Sequence, residues 1–184
     1  MLFRSMTNEM ELSELLAARL CHDLVGPVSA VSNGVELMEG GPPDAEVIAL
    51  IAVSARQASR RLQWFRAAFG SGAGLPRGAM FSETRKLTAA LFEETNVKLD
   101  WAAPDAALEN AATRPACKLA LNLGLVGHEA LPRGGVVQLR PAAAGGKLTL
   151  ALSATGVGAK LADDVRAALT GAAALADVTP KAAP

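Results

Sequence analysis

His22 is the residue best suited to nucleophilic chemistry, because a neutral imidazole nitrogen can attack an electrophile near neutral pH. It lies two residues from both Leu20 and Leu24, which belong to an apolar helical stripe, and two residues rotate a helix by about 200°. The imidazole is therefore predicted to point away from the buried face of the helix. The other histidine, His128, lies in an Ala- and Leu-rich helix and is predicted to be a partly buried or surface residue rather than a second reactive group.

The residues directly after His22 indicate a constraint on this part of the helix. Asp23 is adjacent, and its carboxylate either orients the imidazole and favours its nucleophilic tautomer or is an ordinary acid on the helix surface. Pro27 lies within a continuous helical pattern, where a proline removes a backbone hydrogen bond at a cost of roughly 3 kcal/mol. Gly26 weakens the same turn further. A helix disrupted this close to an exposed histidine is typical of a functional site.

Two long helices are predicted to position these residues. Apolar residues recur every three or four positions in each helix, as in heptad packing. They are Leu12, Leu16, Leu20, Leu24, Val28, Val31, Val35 and Met38 in the first helix, and Ile48, Ile51, Ala55, Ala58, Leu62, Phe65 and Phe69 in the second. Residues 40–43 (Gly-Gly-Pro-Pro) end the first helix and Asp44 is predicted to cap the second, which makes the two helices antiparallel neighbours. One such hairpin cannot cover both stripes, and a homodimeric four-helix bundle is the simplest arrangement that does.

A change of pattern after residue 70 predicts a second domain. Residues 70–77 (Gly-Ser-Gly-Ala-Gly-Leu-Pro-Arg) are typical of a flexible boundary. The predicted elements that follow are a helix over 82–94, a strand over 97–101, a loop over 104–112, a helix capped by Thr113, strands over 136–140 and 148–152 joined at Gly145-Gly146, and a short helix over 161–170. Helices beside a sheet expected to be antiparallel indicate an α+β class. The predicted division is a helical hairpin over 1–70, a linker over 71–81 and a second domain over 82–184.

Composition excludes several classes of function. The 184 residues include 18 Lys+Arg and 18 Asp+Glu, and zero net charge argues against a nucleic-acid or membrane-surface binder. No apolar run approaches the roughly 20 residues of a membrane span, so no membrane partner is expected. Cys21 and Cys117 lie far apart without metal-ligand spacing, which favours a reducing cytoplasm and argues against a disulfide framework or a zinc site.

The stretch around His22 resembles the H-box of two-component histidine kinases. Residues 21–27 (Cys-His-Asp-Leu-Val-Gly-Pro) have the order of that motif: a histidine, an acidic residue, and a proline five residues after the histidine. The longer run from Ala17 to Met38 is more similar to ChpT-type histidine phosphotransferases of alphaproteobacteria. In that family a helical hairpin is followed by a degenerate kinase-like ATP-binding domain. The resemblance implies a dimeric four-helix bundle here, followed by an α/β sandwich of that degenerate kind.

The second domain departs from the kinase pattern at two nucleotide-binding positions. Residues 121–128 (Leu-Asn-Leu-Gly-Leu-Val-Gly-His) resemble the N-box helix, but Val126 stands where a kinase has its second, Mg²⁺-binding asparagine. Residues 154–158 (Ala-Thr-Gly-Val-Gly) resemble the Asp-x-Gly-x-Gly box, but Ala154 replaces the aspartate that accepts a hydrogen bond from adenine. We therefore expect no ATP binding, no intrinsic cofactor and no metal site.

The resemblance implies a phosphorelay role in which His22 is the phosphoacceptor and Asp23 assists it. His22 would take a phosphoryl group from the aspartyl phosphate of one receiver domain and pass it to another, with Mg²⁺ supplied by the receiver. The implied partners are the receiver domains of response regulators and of a hybrid kinase. Two alternatives remain, a non-catalytic dimeric adaptor that binds receivers and an ATP-dependent kinase of unusual sequence.

Two groups of residues are predicted to contact such a partner. Arg19, Gly26 and Ser29 lie near His22 on its face of the helix. The second helix carries four arginines that form either a solvated face or a docking surface for an acidic protein: Arg56, Arg60, Arg61 and Arg66. Of these four, Arg56 and Arg60 are the predicted partner contacts.

Overall fold

The computed structural model describes residues 2–39, 41–42, 44–70, 75–76, 80–93 and 95–171, with side chains from residue 10 onwards. The helices are α1 (Leu2–Met38), α2 (Ala45–Phe69), α3 (Met80–Phe92), α4 (Ala106–Ala111), α5 (Arg114–Glu129) and α6 (Asp163–Leu169), and the strands are β1 (Val97–Asp100), β2 (Gly135–Ala144) and β3 (Lys147–Thr155). Several helices together with a three-stranded sheet confirm the α+β class.

Packing divides the described residues into two units. The helical unit contains residues 2–61 and 162–171, and the sheet unit contains residues 62–161. The last two turns of α2 therefore pack within the sheet unit. Most of the predicted linker, residues 71–74 and 77–79, lies outside the described residues.

In the helical unit, α1 and α2 follow the two predicted helices. Asp44 caps α2 as predicted, because its Oδ1 accepts a hydrogen bond of 3.1 Å from the backbone N–H of Glu46. Helix α1 continues through Pro27. Gly34 of α1 is buried against α2, and a Cβ at this position would lie 2.5 Å from Cγ1 of Ile51. The absence of a side chain at Gly34 therefore allows a close approach of the two helices.

Part of the predicted apolar stripes stays exposed on the helical unit. Val28 and Val35 of the first stripe and Ile48 of the second are exposed to solvent. Further exposed large apolar side chains of this unit are Met10, Val25, Leu37 and Leu50. Among the described residues, no helix is long and apolar enough to span a membrane.

The sheet unit contains a mixed sheet with the strand order β1-β2-β3. Strand β1 is parallel to β2, with Val97 beside Gly135, and β2 is antiparallel to β3. The expectation of an antiparallel sheet is therefore wrong for β1. The connection from β1 to β2 passes through α4 and α5, and a crossover of this length returns the chain in the parallel direction. Buried residues Phe92, Val97, Leu131 and Val137 form a core cluster of this unit.

The prediction of a loop over 104–112 is also wrong, because these residues contain the short helix α4. The Oδ1 atom of Asp105 accepts a hydrogen bond of 2.8 Å from the backbone N–H of Leu108, which caps the helix. The segment that follows is rich in alanine, the residue with the highest helix propensity. A capping aspartate before an alanine-rich run is therefore the sequence signal that indicates this helix.

Helix α3 is stabilised by hydrogen bonds at its N-terminus and by packing along its side. The Glu109 carboxylate accepts hydrogen bonds from the backbone N–H groups of Phe81 (3.1 Å) and Ser82 (2.7 Å), which have no partner within a helix. Along its side, α3 packs on α5 at Gly124, where a Cβ would lie 2.7 Å from Cγ2 of Thr88. The two helices are therefore in contact where α5 lacks a side chain.

Two other predicted element boundaries are confirmed. The Oγ1 atom of Thr113 accepts a hydrogen bond of 3.3 Å from the backbone N–H of Ala116 and caps α5. Gly145 and Gly146 join β2 to β3 with φ angles of 57° and 74°. Positive φ at both central residues is the geometry of a tight hairpin turn, which glycine adopts without strain.

Candidate functional site

His22 lies on α1 with 85% of its side chain accessible to solvent. Its neighbours on the predicted stripe, Leu20 and Leu24, are only partly accessible. The exposure expected from the helical spacing is therefore confirmed. An imidazole this exposed can be reached by another macromolecule without any change in the helix.

The Asp23 carboxylate holds one nitrogen of this imidazole. Its Oδ1 atom lies 3.1 Å from Nδ1 of His22. An ionised carboxylate only accepts hydrogen bonds, so Nδ1 carries the proton in this pair and Nε2 keeps its lone pair. The contact favours an orienting role for Asp23 over that of an isolated surface acid, and it leaves Nε2 as the ring nitrogen with a free lone pair.

Two arginines contact the other oxygen of the same carboxylate. Nε of Arg19 lies 3.5 Å from Oδ2 of Asp23, and Nη1 of Arg61 lies 3.8 Å from it. Arg19 precedes Asp23 by one turn on α1, whereas Arg61 belongs to α2. Asp23 is 15% accessible and Arg19 is 6% accessible. The carboxylate is thus largely shielded from solvent, although the histidine next to it is not.

The contact between Arg61 and Asp23 was not predicted from the sequence, where Arg61 belongs only to an arginine-bearing face. The signal that could have revealed it is the pairing of the two helices. In the predicted antiparallel pair, a step back along α1 from the turn over residues 40–43 corresponds to a step forward along α2. Counting outward from this turn brings Asp23 close to Arg61.

The five predicted partner contacts differ in accessibility. Three are exposed: Gly26, Ser29 and Arg56. Gly26 also has open space around it, since a Cβ at this position would meet nothing within 4 Å. Arg60 is partly buried. The expectation that Arg19 faces a partner is corrected, because its side chain is buried and its guanidinium contacts Asp23.

In the sheet unit, the kinase-like positions are occupied by packing residues. Val126 lies partly buried on α5, and Ala154 of β3 packs against the core cluster. The Asn122 side chain donates a hydrogen bond of 3.0 Å from Nδ2 to the backbone carbonyl of Lys118 one turn earlier in its own helix. Val126 and Ala154 have no side-chain group that could bind Mg²⁺ or accept a hydrogen bond from a base.

His128 and the two cysteines have environments unlike that of His22. The ring of His128 is partly buried and lies 5.1 Å from the ring of Phe92, centroid to centroid. Cys21 is exposed and Cys117 is buried, and neither forms a disulfide. Burial raises the pKa of the Cys117 thiol above its ordinary value, which disfavours the reactive thiolate.

A groove of about 650 Å³ lies within the sheet unit, between the start of α5 and the β2–β3 hairpin. Alanine, glycine and leucine residues form most of its lining, together with Thr113 and Lys147. None of the predicted site residues lines it. The groove therefore supplies no group to the chemistry considered for His22.

Comparison with known proteins finds similarity to phosphotransferases. The sequence model of a family described as "Histidine phosphotransferase C-terminal domain" matches residues 81–184. The protein phosphotransferase ChpT of Brucella abortus (strain 2308) is 36% identical over 131 residues. The matched region is 71% of this chain, but it spans only 61% of the Brucella protein.

A solved structure described as that of a bacterial phosphotransferase, at 1.7 Å resolution, is also similar. It superposes with a TM-score of 0.76 at 30% sequence identity, over 95% of this chain and 84% of the other. The similarity therefore extends over both units.

Proposed function

Because the chain belongs to the histidine phosphotransferase family, we propose that it relays phosphoryl groups between receiver-domain aspartates through a phosphohistidine at His22. The observation that carries this proposal is the exposed imidazole whose Nδ1 is held by Asp23, which leaves Nε2 available for reaction. The activity is that of a protein histidine phosphotransferase rather than an autokinase.

The first half-reaction loads His22. The Nε2 lone pair attacks the phosphorus of a receiver's aspartyl phosphate in line, the N–P bond forms, and the aspartyl O–P bond breaks. The receiver's carboxylate leaves with the electron pair. Because Nδ1 keeps its proton, the ring gains positive charge, which the Asp23 carboxylate stabilises through the hydrogen bond already present.

The second half-reaction reverses these changes on another receiver. Its aspartate oxygen attacks the phosphorus, the N–P bond breaks, and its electrons return to Nε2, which restores the neutral imidazole. Mg²⁺ held by the receiver's acidic pocket offsets the charge on the phosphoryl oxygens in both directions. The cation therefore comes from the partner, and this chain needs no metal ligand of its own.

We further propose that the sheet unit is a degenerate kinase-like domain that binds no ATP. The aliphatic side chain of Val126 and the core position of Ala154 support this, because neither offers a polar atom to a nucleotide. In the relay the phosphoryl group comes from a receiver, so a nucleotide is not required. Micromolar binding of ATP in a titration would instead support the kinase alternative.

A homodimer with a four-helix bundle completes the proposed architecture. In each copy α1 and α2 would form an antiparallel hairpin, as the contacts of Gly34 with Ile51 and of Asp23 with Arg61 indicate. The exposed valines at 28 and 35 and the other exposed apolar residues of the helical unit would be covered by the second copy. Light scattering at micromolar concentration should give the dimer mass.

The proposed partners are receiver domains of response regulators and of a hybrid kinase. Gly26 lies one turn after His22 on the same face, and the open space there would let a receiver approach closely. The exposed Arg56 is suited to contact acidic groups of such a partner. We expect these encounters to take place in the cytoplasm.

The test is transfer of labelled phosphate from a phosphorylated receiver to this protein. We expect an acid-labile, base-stable label on the native chain, no label on His22→Ala, and an unchanged label on the matched control His128→Ala. Persistent labelling of His22→Ala together with its loss in His128→Ala would reassign the phosphoacceptor. Receiver binding without any label would support the adaptor alternative.

A further inference from the structure

The two oxygens of the Asp23 carboxylate have different partners. Oδ1 lies against Nδ1 of His22, and Oδ2 lies against the guanidinium groups of Arg19 and Arg61. The carboxylate is 15% accessible, whereas the imidazole is 85% accessible. The same carboxylate therefore joins the exposed histidine to two arginines.

Burial explains why this carboxylate needs cationic partners. Removing a carboxylate and a guanidinium from water is costly unless the two groups are paired. Arg19 is 6% accessible and Asp23 supplies its negative partner. With the contact from Arg61, the three groups leave one net positive charge beside His22, which favours the approach of an anionic phosphoryl group.

The two arginines differ in what they can control. Arg19 lies on the same helix as Asp23, so helix geometry alone places it one turn away. Arg61 reaches the carboxylate from α2, so its contact depends on how the two helices pack. Arg61 is also 41% accessible, and its replacement leaves a smaller buried defect than replacement of Arg19 would.

We propose that Arg61 is a positioning residue for His22, acting through Asp23. It holds Oδ2 from the second helix, so that Oδ1 accepts a hydrogen bond from the Nδ1–H group and the Nε2 lone pair is kept for phosphoryl transfer. Arg61 itself touches neither the imidazole nor the phosphoryl group in this scheme. The inference rests on the proposed function, and it links the packing of α1 and α2 to the tautomer of the reactive histidine.

The first experiment measures the tautomer of the His22 imidazole in the absence of a receiver. In protein labelled with ¹⁵N-histidine, the ring nitrogen shifts of His22, assigned by their loss in His22→Ala, should report mainly the Nδ1–H form. Arg61→Gln should move the population towards the Nε2–H form. Arg133→Gln is the matched control, because it removes an exposed arginine from the sheet unit, and it should leave the His22 shifts unchanged.

The second experiment measures the rate of transfer from a phosphorylated receiver to the same variants. We expect Arg61→Gln to slow the transfer step roughly tenfold, because misplacement of a reactive group by as little as about 1 Å can cost up to about a hundredfold in rate. Saturating the protein with receiver should not restore the rate, because the loss lies in the chemical step. Arg61→Lys keeps the charge but not the planar guanidinium, and its rate should lie between those of Arg61→Gln and the native chain.

The outcomes separate this inference from the proposed function. Unchanged His22 shifts in Arg61→Gln, or a transfer rate equal to that of Arg133→Gln, overturns the positioning role even if native transfer is fast. Absence of transfer in the native chain overturns the relay, while a shift of the tautomer in Arg61→Gln would still support the contact through Asp23. If Arg61→Gln does not fold, Arg61→Lys is measured in its place. A native tautomer population of His22 and a native transfer rate in Arg61→Lys would then overturn the inference.

Discussion

In the helical unit His22 exposes most of its imidazole and has a carboxylate on Nδ1, whereas in the sheet unit His128 packs its partly buried ring against Phe92. Asp23 and Asp100, which both pair with arginine, differ in a similar way. Asp23 is largely shielded between two arginines, while Asp100 pairs with Arg140 at the surface of the sheet unit. Residue type alone therefore does not identify the reactive group, because its accessibility and its partners determine what it can do.

Gly124 and Gly26 also differ in what surrounds them. Gly124 of α5 is buried against Thr88, so a side chain there would collide with its neighbour. Gly26 of α1 is exposed, and a Cβ there would meet nothing within 4 Å beyond its chain neighbours. Buried glycines permit close packing, as Gly34 also does in the helical unit, whereas Gly26 leaves open space beside His22.

The largest difference in transfer rate is expected between replacement of Asp23 and replacement of Asp100. Asp23→Ala removes the group that orients His22, and we expect phosphoryl transfer to fall about a hundredfold, within the range measured for loss of acid–base groups. Asp100→Ala should leave the rate within a factor of two of native. Rates are compared with one phosphorylated receiver as donor, and an equal loss in both variants would contradict the contrast.

Asp23→Ala also leaves the buried Arg19 guanidinium without this carboxylate. Loss of one partner from a buried ion pair typically destabilises a protein by about 3 kcal/mol. Asp23→Asn is therefore measured beside it, because the amide fills the same space and only the charge is lost. If Asp23→Asn transfers at the native rate, the charge of the carboxylate has no part in the chemistry.

The two glycines should respond differently when changed to alanine. Gly124→Ala places a methyl group 2.7 Å from Cγ2 of Thr88, and overpacking of this kind costs about 1–3 kcal/mol in free energy of unfolding. Gly26→Ala meets no atom outside its two chain neighbours. The gain in helix propensity is opposed there by crowding of the new Cβ against the ring of Pro27, so the net change should be smaller than that of Gly124→Ala. Urea unfolding measures both, and a loss of equal size in the two variants would contradict this difference.

A larger side chain at Gly26 tests whether a partner approaches His22 over this position. Gly26→Leu is compared with Gly26→Ala, so that the effect of the shared Cβ on the free energy of unfolding is controlled for. Its transfer rate should fall below that of Gly26→Ala, since the larger side chain lies one turn from His22 on the same face. An unchanged rate would show that receivers do not approach over this residue.

A smaller effect is expected at the N-terminus of α3. The Glu109 carboxylate accepts hydrogen bonds from two backbone N–H groups, and its negative charge favours the positive end of the helix dipole. Glu109→Gln should therefore lower the free energy of unfolding by about 1 kcal/mol. Glu36→Gln, on the exposed surface of α1, is the control and should change it by less than about 0.5 kcal/mol.

Much of this arrangement follows from local sequence signals. The apolar spacing of three and four residues predicts α1 and α2, and the caps at Asp44 and Thr113 mark where helices begin because their side chains bond to the next turn. The paired glycines at 145 and 146 predict the hairpin for the same local reason. The exposure of His22 also follows from helical geometry, since it needs only the positions of two leucines.

The features missed in the sequence depend on contacts between distant residues. The parallel pairing of β1 with β2 depends on a crossover connection rather than on the composition of either strand. The contact of Arg61 with Asp23 joins α1 to α2. A charged residue in a helical pattern looks solvent-exposed until its partner on another helix is known.

The smallest expected effect is the contribution of the Asp100 carboxylate to the dependence of stability on pH. Hydrogen bonds from the Arg140 guanidinium and from the Gln138 amide hold the pKa of Asp100 below its ordinary value of 3.8. A carboxyl group with a lower pKa in the folded state stabilises the fold above its unfolded pKa, and this contribution is lost as the pH falls through the folded value. Asp100→Asn should therefore be slightly less stable than the native chain at pH 7 and equally stable once the pH is well below 3.8. Thermal unfolding across this range measures the difference, and a gap between the two proteins that stays constant with pH would show that the charge of Asp100 does not contribute.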